Sequence, residues 1–214
     1  MINQGEVIKG INKALVPFFM KGEGGIIALQ KTKQNFTFRL RNSEYSSQAY
    51  NDYGNEVELV DVIKWFNNFW LFIEVRFNNS EGVFITLSVF QGDELEAAKT
   101  QLFRAEWDDY NNENPKHAQP HWHFLPFQTD NTSLGSSFLD FTSDTSNIRS
   151  EVSKQRKVIN LNKFHFAMNG DWANTQKHIH QIKTEKVLEN WFGGILAHIK
   201  TELEYVSKKA EKAF

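Results

Sequence analysis

The sequence predicts an α+β fold: a mostly antiparallel β-sheet of about five to seven strands, with N- and C-terminal helices packed on its apolar face. Three observations predict it. Segments near both termini carry apolar residues at helical spacing. The middle of the chain alternates apolar and polar residues at period two, with short turns between the runs. Strands joined by such short links usually pair antiparallel.

Taken in order, residues 4–19 form the first helix. Val7, Ile8, Ile11, Leu15 and Phe19 share a face, and Glu6, Lys9 and Lys13 lie elsewhere. Pro17 sits near its end, and Gly22, Gly24 and Gly25 break it. Residues 26–30 are a short apolar strand. Residues 36–41 are a second, with Phe36, Phe38 and Leu40 on one face and Thr37, Arg39 and Arg41 on the other. Residues 42–55 read as a polar loop containing Tyr45, Tyr50 and Tyr53. Asn55 and Glu58 then have capping-box spacing, and Leu59, Val60, Ile63 and Phe66 fit a helical face. Strand is the alternative, since Val57, Leu59 and Ile63 also suit a sheet.

Residues 71–78 and 83–90 read as a β-hairpin across a short Asn-Asn-Ser-Glu-Gly turn. Further strands are expected at 100–110, 121–127 and 163–169. A final helix is expected over 185–206, with Leu188, Trp191, Phe192, Ile195, Leu196, Ile199, Leu203 and Val206 as its apolar stripe. Glu185 and Glu189 near its start and Lys208 and Lys209 near its end suit the helix dipole. Gly193 and Gly194 would together cost about 2 kcal/mol relative to alanine, so they imply close packing or a bend. Residues 128–159 form a polar excursion, either irregular or folded into two short helices. Strands on both sides of it argue for a single domain over 1–214.

Composition narrows the function classes. A chain of 214 residues buries a sizeable core without disulfides or a structural metal. The formal net charge is −2, so no basic excess drives general nucleic-acid binding, although a local patch would suffice. Cysteine is absent, which excludes disulfides, iron–sulfur clusters, thiolate nucleophiles and cysteine-ligated zinc. No secretory signal is visible, and no segment approaches the roughly 20 apolar residues of a membrane span. A cytoplasmic protein without a membrane partner is the expectation.

Strand parity locates a candidate site. In residues 103–108, Phe103, Ala105 and Trp107 share one face, and Arg104, Glu106 and Asp108 the other. In residues 121–124, Trp122 and Phe124 oppose His121 and His123. In residues 163–168, Phe164, Phe166 and Met168 oppose Lys163 and His165. Each strand thus offers an aromatic face and a polar one. Unless a bulge resets the parity, Arg104, Glu106, Asp108, His121, His123 and His165 converge on one surface.

Two imidazoles in a His-x-His strand stand about 6.5–7 Å apart at Cβ, close enough to share one ion or one phosphate. His117, His165 or Asp108 would complete an open nitrogen/oxygen set for zinc or manganese. This predicts a metal-dependent phosphodiester hydrolase, nuclease-like, acting on nucleic acid or another phosphorylated substrate. His117, His121 and His123 are the metal candidates. Arg104 would neutralise the phosphate, Glu106 would serve as general base, and Asp108 or His165 would support the metal. Two alternatives stand beside it. Paired histidines can cleave RNA as acid and base without metal, with Arg104 or Lys163 holding the phosphate. Or the polar face has no chemistry, and with the polar excursion it binds a protein partner.

Other candidates carry less. His178 and His180 repeat the His-x-His spacing, and on an extended segment they would compete with His117 as ligands. Asp140 and Asp144 read as a solvated cap, and His198 as structural. No phosphate-binding glycine loop, nucleophile elbow or His-Glu-x-x-His helix occurs.

Overall fold

A computed structural model of the chain describes residues 3–19, 28–40, 44–50, 57–78, 82–108, 119–124, 182 and 184–211. Helix α1 spans Gln4–Leu15, and Val7, Ile11 and Leu15 form its buried stripe. Asn3 caps it, its side-chain oxygen accepting the Glu6 N–H at 3.3 Å. The helix stops short of residue 19. Pro17 has no N–H to donate and disfavours helical geometry in the residue before it.

Nine strands follow among the described residues: β1 (Leu29–Lys31), β2 (Thr37–Leu40), β3 (Ser46–Tyr50), β4 (Val57–Asp61), β5 (Ile63–Phe66), β6 (Phe69–Phe77), β7 (Val83–Gln91), β8 (Thr100–Asp108) and β9 (His121–Phe124). Helix α2 spans Glu185–Glu211. Seven strands form one sheet in the order β1-β2-β6-β7-β8-β9, and β5 also pairs with β6. Every pairing in it is antiparallel. The architecture is the α+β arrangement that the sequence predicts. The strand expected at 163–169 and the polar excursion at 128–159 lie outside the described residues.

Of the two readings of residues 57–66, the helix fails and the strand holds, as β4 and β5. Residues 46–50, read as loop, form β3. β3 and β4 pair over their whole length, from Ser46↔Asp61 to Tyr50↔Val57. The capping-box spacing is outweighed by tertiary burial. Val60 and Val62 join Ala49, Trp70, Phe72 and Phe90 in a second apolar cluster, on the opposite side of the main sheet from the helices. β3 escaped notice because only Ser47 and Ala49 of its residues are buried.

The principal core lies on the helix side. It joins Leu71, Ile73 and Val75 of β6, Ile85, Leu87 and Val89 of β7, and Phe103, Ala105 and Trp107 of β8 to the buried stripes of both helices. Trp107 meets Trp191 of α2 edge-on, ring centroids 5.0 Å apart. The helices are tied together where the Asn3 N–H donates to Glu185 Oε1 at 3.0 Å and Lys13 lies 3.4 Å from Glu189.

The β3–β4 hairpin covers part of the other face. Ser47 Oγ donates to the Lys99 carbonyl and accepts the Lys99 N–H, both at 2.9 Å. Gln101 Oε1 accepts the Tyr50 N–H at 2.7 Å. The Lys99 ammonium lies over Trp70, 4.4 Å from the ring centroid, and burial pulls its pKa below the ordinary lysine value.

The paired glycines of α2 turn out not to be required by packing. A Cβ on Gly193 would meet that of Ala14 at 3.8 Å, and one on Gly194 would meet nothing within 4 Å. Gly194→Ala is therefore expected to stabilise the fold by about 0.5–1 kcal/mol, read from the urea midpoint. A second expectation concerns acid. The Asn3 N–H holds the Glu185 carboxyl below its usual range, and the hydrogen bond from Lys186 does the same for Glu189. Their contribution is complete above the ordinary carboxylate pKa of about 4.3 and is lost as pH falls through their lower folded values. The stability gap between wild type and Glu185→Gln/Glu189→Gln should be widest near neutrality and close in acid.

Candidate metal centre

Antiparallel pairing sets the side chains of β8 and β9 directly opposite one another. The register is Arg104↔His123, Ala105↔Trp122 and Glu106↔His121. The parity expected from the sequence therefore holds for both strands. The polar side of Glu106 continues across the sheet through Thr86 of β7 and Glu74 of β6 to Arg39 of β2. Trp107 and Trp122 belong to the opposite side, packed in or against the helix-side core, and neither is presented for stacking on a base.

The polar face is not a solvated one. Glu74, Thr86, Ser88, Arg104 and Glu106 are all buried. Buried charge costs several kcal/mol unless it is paired, and the pairing is complete in kind. Arg39 and Arg76 both form ion pairs with Glu74, and Arg39 also reaches Glu58 at 2.8 Å. Burial alone would lower the Arg39 pKa, but its bonds to Glu58 and Glu74 outweigh that and raise it. Glu106 forms an ion pair with Arg104 of the same strand; the two side chains are 3% and 6% exposed. Arg104 Nη1 also donates to the Tyr50 carbonyl of β3.

Arg104 meets Oε1 of Glu106, which leaves Oε2 directed at the histidines. His123 Nε2 lies 3.0 Å from Oε2, and His121 Nε2 lies 3.5 Å from it. The two Nε2 atoms are 2.6 Å apart. One atom from each of Glu106, His121 and His123 thus falls within 4.8 Å of the others. Ligands about 2.0–2.1 Å from an octahedral or tetrahedral ion stand roughly 2.8–3.4 Å from one another. The carboxylate–imidazole distances, 3.0 and 3.5 Å, lie within or close to that spacing. The imidazole nitrogens, 2.6 Å apart, would need to part by about 0.2–0.8 Å. The His121 side chain is 14% exposed and that of His123 is 35% exposed, so access is from the His123 side.

Arg104, Glu106, His121 and His123 are brought together, as expected from the sequence. Asp108 lies further along the same face of β8, outside the three-residue group, and its N–H donates to Gln119 Oε1 at 2.8 Å. Glu106, read as a general base, groups with the two histidines closely enough that all three could hold one ion. His117, His165, Lys163, His178, His180, Asp140 and Asp144 lie outside the described residues. His198 is half-buried in α2. Sequence reasoning missed Gln119, which anchors the entry to β9, and the Tyr50 carbonyl. Neither carries a local signal, because each acts through a partner distant in the chain.

No family model, no curated protein and no solved structure matches the chain. The site therefore rests on its geometry. Glu106→Ala would leave the Arg104 guanidinium buried without its carboxylate and is expected to cost about 3–5 kcal/mol in urea unfolding. His123→Ala, at a partly exposed position, is expected to cost about 1 kcal/mol or less.

Proposed function

We propose that the protein is a metal-dependent hydrolase in which Glu106, His121 and His123 hold one divalent transition-metal ion. The observation that carries this reading is the convergence of one carboxylate oxygen and two imidazole nitrogens at the spacing of a shared ion. Two histidines and a carboxylate suit zinc or manganese, and three protein ligands leave positions for water and substrate. A bound water acidified to a pKa near about 7 is a nucleophile at neutral pH.

A phosphodiester, in RNA or DNA, is the substrate class of this reading. The phosphate oxygen would be met by the metal rather than by Arg104, whose guanidinium is committed to Glu106 and Tyr50. Asp108, further along the same strand face and partly exposed, takes the general-base role in place of Glu106. The 2.6 Å contact between the imidazole nitrogens favours a second reading, in which one ring donates and the other accepts during metal-free cleavage of RNA. The partner-binding alternative called for an exposed charged sheet face, and the burial of Glu74, Arg104 and Glu106 weighs against it. No helix among the described residues is long and apolar enough to cross a membrane.

Untagged protein prepared without chelator is expected to contain near-stoichiometric zinc, manganese, iron or nickel by elemental analysis. His121→Ala/His123→Ala should lose it. An activated phosphodiester and short RNA and DNA substrates should be hydrolysed by wild type and spared after chelation. Absence of metal from both proteins, with none taken up on addition, would reject the metal mechanism. Hydrolysis that persisted in chelator would favour the paired histidines.

A further inference from the structure

The charge balance around Glu106 separates this site from an ordinary pair of histidines with a carboxylate. Histidine ligates as neutral imidazole, so His121 and His123 add no charge. A ligating glutamate normally cancels one of the two charges of the ion. Here Arg104, on the adjacent position of the same strand face, already balances Glu106. The remaining charged groups of the face do not restore a negative balance. Glu74 and Glu58 are matched by Arg39 and Arg76, and the Glu74 group lies on β6, two strands from Glu106 and so roughly 10 Å away. Asp108 contributes one negative charge, but it is partly exposed and screened by water.

Resting on the metal reading above, we infer that Arg104 leaves the bound ion with nearly its full double charge, so that its open position selects an oxyanion, such as a phosphate group, over a neutral donor. Arg104 is a positioning residue with an electrostatic effect. It holds Oε1 of Glu106, turns Oε2 toward the histidines, and reduces the electron donation of the carboxylate to the ion. The same arrangement strengthens the ion as a Lewis acid toward a bound phosphate oxygen. Because guanidinium and carboxylate are both buried, water does little to dilute the effect.

The test uses cobalt(II), whose visible absorption reports its ligands, on the full chain. Cobalt-loaded wild type is titrated with inorganic phosphate and, separately, with neutral imidazole at matched ionic strength. Phosphate should shift the spectrum. Arg104→Met should weaken phosphate binding by about tenfold or more and change imidazole binding by less than about threefold, while cobalt is held at least as tightly as in wild type. Arg104→Lys keeps the charge and should keep phosphate affinity within about threefold. Equal losses for phosphate and imidazole, or loss of phosphate in the lysine variant, would assign Arg104 a purely geometric part and overturn the inference. If Arg104→Met does not fold, the wild-type and lysine titrations decide. Cobalt uptake without a phosphate response rejects the inference and leaves the metal site standing. No cobalt uptake by wild type rejects the metal site itself.

Discussion

A carboxylate on a buried sheet face has to find its counter-charge within reach of its own strand, and Glu106 finds it in Arg104. Much of the candidate site depends on that pair. It directs one carboxylate oxygen inward along β8 and the other across to β9, where the histidines stand. The guanidinium that satisfies Glu106 also bonds the Tyr50 carbonyl. One side chain therefore joins the main sheet, the covering hairpin and the ligand group. A lysine there could match the charge of Glu106, but its ammonium would not also serve the Tyr50 carbonyl in a fixed direction.

The central strands explain why so many polar groups are enclosed. β7 is buried at every position, and β6 and β8 at nearly every one. An antiparallel sheet with one wet face would keep half of those residues in solvent. Here the helices cover one side, and the β3–β4 hairpin with its own apolar cluster covers part of the other. The alternation in the sequence records two different interiors. One is aliphatic and aromatic. The other mixes aromatic residues with matched charges, as in Arg39 and Arg76 around Glu74.

This distinction marks how much of the molecule was legible in the sequence. The terminal helices and the β6–β7 hairpin followed from periodicity: the helix stripes and one face of the hairpin meet in the large core, while Trp70, Phe72 and Phe90 enter the second cluster. The facing of Arg104, Glu106, His121 and His123 followed from parity, because the bulge in β7–β8 pairing falls between Val89 and Phe90, away from them. The β3–β4 hairpin was not legible. Ser-Ser-Gln-Ala-Tyr has little strand character of its own and is held by the Lys99 backbone and the Gln101 side chain. The burial of Arg104 and Glu106 was hidden for the same reason: a charged residue looks solvated until the element covering it is known. That is also why the closeness of Glu106 Oε2 to both imidazoles is visible only in the fold.

The pairing of α1 with α2 has a consequence for the order of assembly. The bond from Asn3 to Glu185 joins positions 182 residues apart. α1 is made before the sheet, yet the helix it packs against is made after the described strands. Until then the aliphatic side of β6, β7 and β8 has at most one of its two covering helices. Contacts of such long sequence separation form late and slowly. Vectorial synthesis thus leaves a nascent chain with an exposed apolar sheet surface, the kind of intermediate on which chaperones act.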